Sequence, residues 1–238
     1  MKPYRADLHI HTLLSPCASL EMSPAAVIAV ALERGLDIIA VSDHNTTLHC
    51  ALTSSLGVEH GIVVINAAEV TSAEEVHCLV LLPDREAATL FQEWLDNNSS
   101  KVPYDPEIFG YQVVLDREEN ILHEIDHFLP AALMASIDQI EREAHRLGGL
   151  LIPAHIDRPS FSITSQLGFI PEDLYIDAVE VTGKIEGLLY PAIRNSDAHL
   201  PAQIGRRYTT FLLDSPSFSE IALALKGESG RTIISVTP

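Results

Sequence analysis

Short apolar segments alternate with segments of helical character along most of the chain. A short, continuously apolar run is typical of a strand buried on both faces of a sheet. Such runs cover residues 5–11, 37–44, 61–70, 75–82, 150–156, 177–181 and 193–200. Helix start signals lie between several of them, namely Ser23 followed by Pro24, Ser136 with Gln139, and Ser217 with Glu220. The pattern therefore predicts repeated strand-then-helix units.

Seven such strands indicate a closed or nearly closed α/β barrel rather than an open doubly wound sheet. Repeated β-then-α units favour parallel strands, and segments 208–214 and 231–236 add two further strands. No glycine-rich nucleotide loop follows any strand. Residues 98–134 are polar and turn-rich, with a hairpin whose turn lies at 116–120. We expect one domain over 1–238, with 98–134 as an insertion over one end.

Charge and cysteine usage narrow the class of protein. The 238 residues carry a net charge of −18, from 33 acidic and 15 basic residues, which predicts no binding to long nucleic acid. The cysteines are Cys17, Cys50 and Cys78, an odd number without CxxC spacing, which favours a reducing compartment. No secretory signal and no apolar run of membrane-spanning length is evident. We expect a cytoplasmic protein that does not bind membranes, with its oligomeric state open.

Histidines and carboxylates gather at the ends of the predicted strands. His9 and His11 stand two residues apart, so a strand would present both imidazoles on one face. The carboxyl ends of barrel strands carry the chemistry in folds of this kind, and imidazole and carboxylate groups are metal ligands. His77 is the exception, because it precedes its apolar run, and it would reach the site only if its strand runs antiparallel or the loop after Glu69 folds back. The pattern predicts a metal centre built from His9, His11, Asp43, His44, Glu69, His77, His155, Asp197 and His199.

Five short motifs resemble those of the polymerase and histidinol phosphatase (PHP) superfamily. They are "DLHIHT", "VSDHN", "AAEVT" with "EVHCL", "IPAH" and "NSDAH", in family order from residue 7 to 199. The resemblance implies a distorted (β/α)7 barrel that holds two or three divalent metal ions, Zn, Mn or Fe, and that hydrolyses phosphate esters.

The resemblance also implies a distribution of ligands over three metals. The first would be held by His9, His11, Glu69 and Asp197. Glu69 would bridge to a second, completed by His77 and His155, and the third would be held by His44 and His199. The family's further ligand to the third metal, a His or Asp shortly after the paired histidines, is absent here. Cys17 follows at that place and is either a thiolate ligand or a small buried thiol.

The expected reaction is attack by a hydroxide bridging two metals on a small phosphomonoester or nucleotide. Asp197 would orient the hydroxide, His199 would stabilise the leaving oxygen, and Asp43 would orient a ligand histidine rather than bind metal. Candidate phosphate-binding cations are Arg158, with Lys184, Arg194 and Arg206 flanking the later strand ends. We interpret the remaining histidines as surface or loop residues, namely His49, His60, His123, His127 and His145.

Two alternative functions remain open from the sequence. One is an exonuclease or nucleotide phosphodiesterase, and the other is a metal-binding interaction module without catalytic activity. The acidic charge weighs against the former, and the near-complete ligand set weighs against the latter.

Overall fold

The computed structural model describes residues 1–183 and 187–236. The strands are β1 (Lys2–Ile10), β2 (Ile38–Val41), β3 (Val63–Thr71), β4 (His77–Leu82), β5 (Val113–Leu115), β6 (Ile121–Glu124), β7 (Leu150–Pro153), β8 (Val179–Glu180), β9 (Ala192–Ile193), β10 (Thr209–Leu213) and β11 (Thr232–Val236). The helices are α1 (Pro24–Glu33), α2 (Cys50–His60), α3 (Arg85–Asn98), α4 (Pro106–Phe109), α5 (Ile137–Arg146), α6 (Ile163–Leu167) and α7 (Phe218–Lys226), and a 3-10 turn spans Pro201–Gln203.

Seven strands follow one another around a distorted barrel in the order β1, β2, β3, β4, β7, β8 and β9. The first five belong to one hydrogen-bonded sheet. Strand β8 joins β7 through the Ile156 N–H, which donates to the Glu180 carbonyl, and β9 pairs with β8 in parallel. The chain after β9 then returns to β1, where the His11 N–H donates to the Ala198 carbonyl at 3.0 Å. The predicted distorted (β/α)7 barrel is therefore confirmed.

Strand β4 departs from the predicted parallel arrangement. It pairs antiparallel with β3 on one side and with β7 on the other. Its first residue, His77, pairs with Thr71 at the carboxyl end of β3. The reversal arises because only a short turn separates the two strands, and a tight hairpin connects antiparallel neighbours. His77 is thereby brought to the same end of the barrel as the other strand-end histidines.

Two further strands extend the sheet beyond the barrel, and helix α2 was not predicted. Strand β10 runs antiparallel to the first half of β1, and β11 runs antiparallel to β10. Helix α2 follows β2, and its sequence "CALTSSLGVEH" offers no clear apolar stripe and no side-chain cap at its start. Its end is marked by Gly61 in the left-handed conformation, with φ at 77°.

The segment 98–134 forms the predicted hairpin. Strands β5 and β6 pair antiparallel, and the Asp116 N–H donates to the Asn120 carbonyl across the turn. The hairpin packs on the loop that follows β1, since Leu13 contacts Val113 and Leu115 in a small apolar cluster. That the whole chain is a single domain stays a prediction.

The barrel interior supplies the floor of the site. Ile65 and Ala67 of β3 face inward among apolar side chains from the neighbouring strands, including Leu79 and Leu81 of β4. Because alternate residues of a strand share a face, Glu69 and His77 continue this interior at its upper end. Among the described residues, no helix is long and apolar enough to span a bilayer. The expected cytoplasmic location stays a prediction.

Candidate metal centre

Five imidazoles surround one buried carboxylate at the upper end of the barrel. Glu69 is 1% exposed, and both of its oxygens face histidine nitrogens. The closest is His77 Nδ1, 2.9 Å from Oε1. The others lie within 3.1–3.4 Å and are His9 Nε2, His11 Nε2, His44 Nδ1 and His155 Nε2. This carboxylate is therefore placed to contact more than one cation.

The paired histidines of β1 direct the same nitrogen to the same point. His9 Nδ1 lies 3.1 Å from both oxygens of Glu180, and His11 Nδ1 lies 3.0 Å from Ser15 Oγ. These partners hold the Nδ1 proton of each ring and leave Nε2 with its lone pair. The two Nε2 atoms are 3.2 Å apart and each lies 3.3 Å from Asp197 Oδ1.

Asp43 supports His11 through Ser15. One Asp43 oxygen accepts from the Thr12 N–H and the Ser15 hydroxyl, each at 2.7 Å, and the other accepts from the Thr12 hydroxyl at 2.7 Å. The Ser15 hydroxyl also accepts from the His44 N–H. Asp43 therefore has the geometry expected of a group that orients a ligand histidine.

His49 joins this network and corrects the sequence interpretation. It is buried, at 1% exposure, and is not a surface residue. Its Nε2 accepts from the Leu115 N–H at 3.1 Å, so Nδ1 carries the proton and donates to Thr12 Oγ1 at 2.7 Å. Burial lowers the pKa of His49 and keeps it neutral. It links the hairpin of 98–134 to the Asp43 network.

Glu180 is a site residue that the sequence interpretation missed. Besides His9, its carboxylate accepts from the His155 N–H at 3.0 Å and from the Asn195 side-chain amide at 2.8 Å. It is 2% exposed. A signal was available, because "AVEVT" at 178–182 repeats the pattern of "AAEVT" at 67–71, with a lone carboxylate near the end of an apolar strand.

Asp197 and His199 form the open side of the site. The Asp197 carboxylate pairs with Arg158, whose Nη1 lies 2.6 Å from Oδ2. His199 Nδ1 lies 3.0 Å from the Asp197 carbonyl oxygen. The His199 ring therefore contacts this carbonyl through Nδ1 and not through Nε2. Both residues border a cavity of about 440 Å³, here termed the arginine cavity, which is lined by Arg158, Ser196, Asp197, His199, Gln203, Arg206 and Arg207.

The charges of the site are strongly coupled. Burial by itself would lower the pKa of His9, but Glu180, Asp197 and Glu69 raise it well above its usual value. Burial likewise opposes protonation of His11, and hydrogen bonds to Asp197 and Glu69 raise its pKa to about 9. Cations at this point would displace those protons, because metal ligands must be deprotonated.

Three overlapping groups of ligand atoms could each hold a cation. Within each group the atoms lie within 4.8 Å of one another, and the groups are His9 with His11 and Asp197, His11 with His44 and His199, and His44 with Glu69 and His77. His155 Nδ1 is buried without a hydrogen-bond partner among the described residues, and His44 Nδ1 approaches Glu69 Oε2 at 3.1 Å without the geometry of a hydrogen bond. Nitrogen and carboxylate donors suit Zn, Mn or Fe. The residues present therefore fit the metals that the resemblance implies.

Two of these residues occupy unusual backbone conformations. His155 has φ at 32° and Asp197 has φ at 51°. Non-glycine residues in this region are strained, and such strain is concentrated at functional sites. His155 Nε2 lies 3.1 Å from Glu69 Oε1, and Asp197 Oδ1 lies 3.3 Å from the Nε2 atoms of His9 and His11.

Some predicted residues lie elsewhere or outside the described part. Cys17 is exposed and belongs to none of the three ligand groups among the described residues. Its role as a ligand therefore stays a prediction. Lys184 lies outside the described residues. Arg206 lines the arginine cavity. Arg207 lines it as well and was overlooked in the sequence interpretation. Arg194 is buried, at 7% exposure.

Comparison with known proteins identifies a family model that matches one segment of the chain and a relative that is similar to part of it. A family model described as PHP-associated matches residues 188–229. The uncharacterized protein YqxK of Bacillus subtilis is 37% identical over 109 residues, which is 40% of this chain and 28% of YqxK. The chain thus matches less than a third of the length of this relative.

Solved structures share the fold over nearly the whole chain. The lesion-specific endonuclease Q of Pyrococcus furiosus has a TM-score of 0.74 at 22% identity, covering 99% of this chain and 58% of that one. A Bifidobacterium adolescentis protein described as a candidate metal-dependent phosphoesterase has a TM-score of 0.57 at 17% identity, covering 82% and 87%. The present chain spans little more than half of the endonuclease.

The prediction of no long nucleic-acid partner is wrong as an inference from charge. An endonuclease Q complex with a 27-mer duplex bearing an abasic lesion at its active site has a TM-score of 0.71 at 21% identity, over 99% of this chain and 59% of that one. The fold is therefore compatible with a duplex partner. The net charge of −18 is a sum over the chain and hides the local cluster of guanidinium groups in the arginine cavity.

The distorted barrel and the match over 188–229 agree with the motifs read from the sequence. Together they confirm the resemblance: residues 188–229 match the PHP-associated family model, and the fold is shared with the solved structures compared above.

Proposed function

We propose that this chain is a metal-dependent hydrolase of phosphate esters. The observation that carries the proposal is the arrangement around Glu69, where three ligand groups overlap and two of their members, Asp197 and His199, line a cavity that contains three arginines. Adjacent cations suit displacement at phosphorus, and guanidinium groups recognise phosphate oxygens.

The chain's own residues divide into ligands and their supports. His9, His11, Asp197 and Glu69 would hold one ion, Glu69 with His77 and His155 another, and His44 with His199 a third. Ions so held would neutralise charge on the phosphoryl oxygens and ionise water near neutral pH. Glu180 and the Asp43–Ser15 pair hold the rings of His9 and His11 so that their Nε2 atoms converge.

The arginine cavity would bind the phosphate. Arg158 is 35% exposed at its side chain and already faces Asp197, so its remaining N–H groups can contact a substrate oxygen. Arg206 and Arg207 line the same cavity. Asp197, through Oδ2, holds the Arg158 guanidinium beside the centre, while its Oδ1 faces the β1 histidines.

His199 serves this site better as a ligand than as a proton donor. Burial and the neighbouring His11 lower its pKa to about 4, so that the ring is neutral near pH 7. A neutral imidazole binds cations and cannot protonate a leaving oxygen. Its contribution to departure of the leaving group would therefore be electrostatic and indirect.

Two substrate types are supported by different observations. The metal centre beside a cavity of about 440 Å³ suits a phosphomonoester or free nucleotide. The fold likeness to endonuclease Q over 99% of the chain supports a second candidate, cleavage of a phosphodiester in DNA. A third candidate function is that of a metal-binding module without catalytic activity.

A panel of esters separates these functions. The wild-type protein and Glu69→Gln would be assayed with Mn or Zn on 4-nitrophenyl phosphate, on bis(4-nitrophenyl) phosphate, on adenosine 5′-monophosphate, and on a duplex with an abasic site. Release of phosphate from monoesters alone supports the phosphatase, and strand cleavage supports the nuclease. Absence of turnover on every ester, with metal bound, would contradict hydrolysis and favour the module.

A further inference from the structure

A second cavity borders the metal centre and shares no lining residue with the arginine cavity. Its volume is about 360 Å³, within the range of about 300–1,000 Å³ typical of small-molecule pockets. It is mainly apolar, and two of its wall residues are candidate metal ligands. We call it the aromatic pocket, lined by Pro16, Cys17, His44, His77, Phe109, Phe128, Pro130 and Phe161.

Phe161 forms one wall and is held there at a conformational cost. Its φ is 56°, a region that non-glycine residues rarely occupy. The His77 N–H donates to its carbonyl at 2.8 Å, and the two rings stack with centroids 4.7 Å apart and planes inclined by 21°. The Phe161 side chain is nevertheless 42% exposed. A strained, exposed aromatic ring beside a ligand histidine indicates a binding role.

The opposite wall comes from the hairpin-bearing segment and is also fixed in place. The rings of Phe109 and Phe128 lie 5.1 Å apart, and Phe109 is 50% exposed. The Asn45 amide donates to the Leu129 carbonyl at 2.7 Å and so ties this wall to the end of β2. Gly110 has φ at 94°, and a Cβ there would stand 2.3 Å from the Pro16 carbonyl oxygen. Only glycine allows this close approach.

The two cavities differ in the chemistry they favour. The arginine cavity favours anionic oxygens, whereas the aromatic pocket offers π faces, a proline ring and few polar atoms. Flat aromatic groups stack on such surfaces in a sequence-tolerant way. Among phosphate esters, nucleotides carry a flat aromatic group one sugar away from the phosphate.

We propose that the aromatic pocket receives the base of a nucleotide whose phosphate lies at the metal centre. The inference rests on the proposed phosphoesterase function and narrows its substrate class to nucleotides, free or within a strand. Phe161 and Phe109 would provide the stacking faces, and Cys17 would lie at the edge of the base.

The test compares two esters that differ only in the base. With Mn present, kcat/KM is measured for adenosine 5′-monophosphate and for ribose 5-phosphate. Phe109→Ala and Phe161→Gly should lower the value for the nucleotide by about 10- to 100-fold, as expected for a lost base stack. The value for ribose 5-phosphate should change less than about twofold. Glycine is chosen at 161 because it accepts positive φ without strain.

Matched control variants distinguish the loss of a stacking face from a loss of folding. Phe169→Ala removes a phenylalanine that is 64% exposed and does not line either cavity, so it should leave both values unchanged. Phe109→Leu keeps apolar volume without a π face and should still lose most of the preference. Melting temperatures are measured for all variants. If Phe109→Ala unfolds, Phe109→Leu is used in its place.

Binding of adenosine, which has no phosphate, tests the pocket without any turnover. Calorimetry on the wild-type protein should detect binding that Phe109→Ala weakens by at least about tenfold. If no ester is hydrolysed, the proposed function fails while this binding decides the pocket. Equal kcat/KM for the two esters, a nucleotide preference unaffected by the phenylalanine variants, or no adenosine binding would each overturn the inference.

Discussion

The Nε2 atoms of His9 and His11 lie 3.2 Å apart, while Nδ1 of His9 contacts Glu180 and Nδ1 of His11 contacts Ser15. Two lone pairs so close together are unfavourable unless a proton or a cation lies between them. Asp197 Oδ1 stands 3.3 Å from both nitrogens and completes the group. The supports of the two histidines thus bring His9, His11 and Asp197 together as a group of ligand atoms that could hold a cation.

Replacing the shared carboxylate should disturb more than one ion. Glu69→Gln keeps the size of the side chain but removes the charge that offsets the repulsion between neighbouring cations. We expect bound metal, measured by elemental analysis, to fall by more than one equivalent per chain and hydrolysis to be lost. Glu93→Gln, an exposed change on α3, is the control. Full metal content with wild-type turnover would refute the bridging role.

Neutralising the support of His9 should weaken metal binding without removing a ligand. Glu180→Gln leaves an amide beside His9 Nδ1 and removes the negative charge that fixes the tautomer. We expect metal affinity to fall by about 10- to 100-fold, as is usual for such supporting carboxylates. The measurement is a competition titration with a chromophoric chelator. An unchanged affinity would assign Glu180 to folding alone.

Removing the arginine that faces Asp197 should affect substrate more than stability. Arg158→Ala is expected to lower kcat/KM by an amount worth roughly 1–3 kcal/mol, the range for a charged hydrogen bond. The melting temperature should barely move, because the side chain is 35% exposed. Arg146→Ala, which removes an exposed pair with Glu143, is the matched control. Normal kinetics with a large loss of stability would identify a structural ion pair.

A histidine outside the centre should make stability depend on pH. The hydrogen bond to Asp177, opposed by partial burial and aided by Glu141, raises the pKa of His145 above its usual 6.5. Because the folded pKa exceeds the unfolded one, the stabilisation is fully present below pH 6.5 and is lost as pH rises through the folded pKa.

The test compares denaturant unfolding of the wild-type protein and His145→Gln across pH 5.5–9. The difference in unfolding free energy should be largest at the acidic end and should shrink as pH rises. Metal ligands titrate in both proteins, so the difference isolates His145. A difference that stays constant with pH would contradict this assignment.

The residues gathered around Glu69 could be found from the sequence because they lie at strand ends, where apolar periodicity locates them, and their role as metal ligands stays a prediction. The sequence predicted less of what supports them. Ser15 reaches Asp43, and His49 reaches Thr12, through contacts between distant parts of the chain that no local pattern records. The direction of β4 was left open, since periodicity shows that a strand exists but not which way it runs, and the structure shows that it runs antiparallel to β3.

Helix α2 and the arginine cavity show two further limits. The serines and threonine of α2 weaken its helical pattern, and packing on β3 overrides that weak propensity, as where the Ser54 hydroxyl donates to the Asn66 side chain at 3.1 Å. Net charge summed over the chain concealed the local placement of Arg158, Arg206 and Arg207. Both depend on the tertiary fold.

Reconstitution of metal-stripped protein tests the central claim most directly. Mn would be added stepwise while hydrolysis of 4-nitrophenyl phosphate and of bis(4-nitrophenyl) phosphate is followed. We expect no turnover without metal, then a rise that saturates at no more than three equivalents per chain, one for each ligand group. Turnover that persists after stripping, or none of either ester at saturating Mn or Zn, would contradict a metal-dependent phosphoesterase.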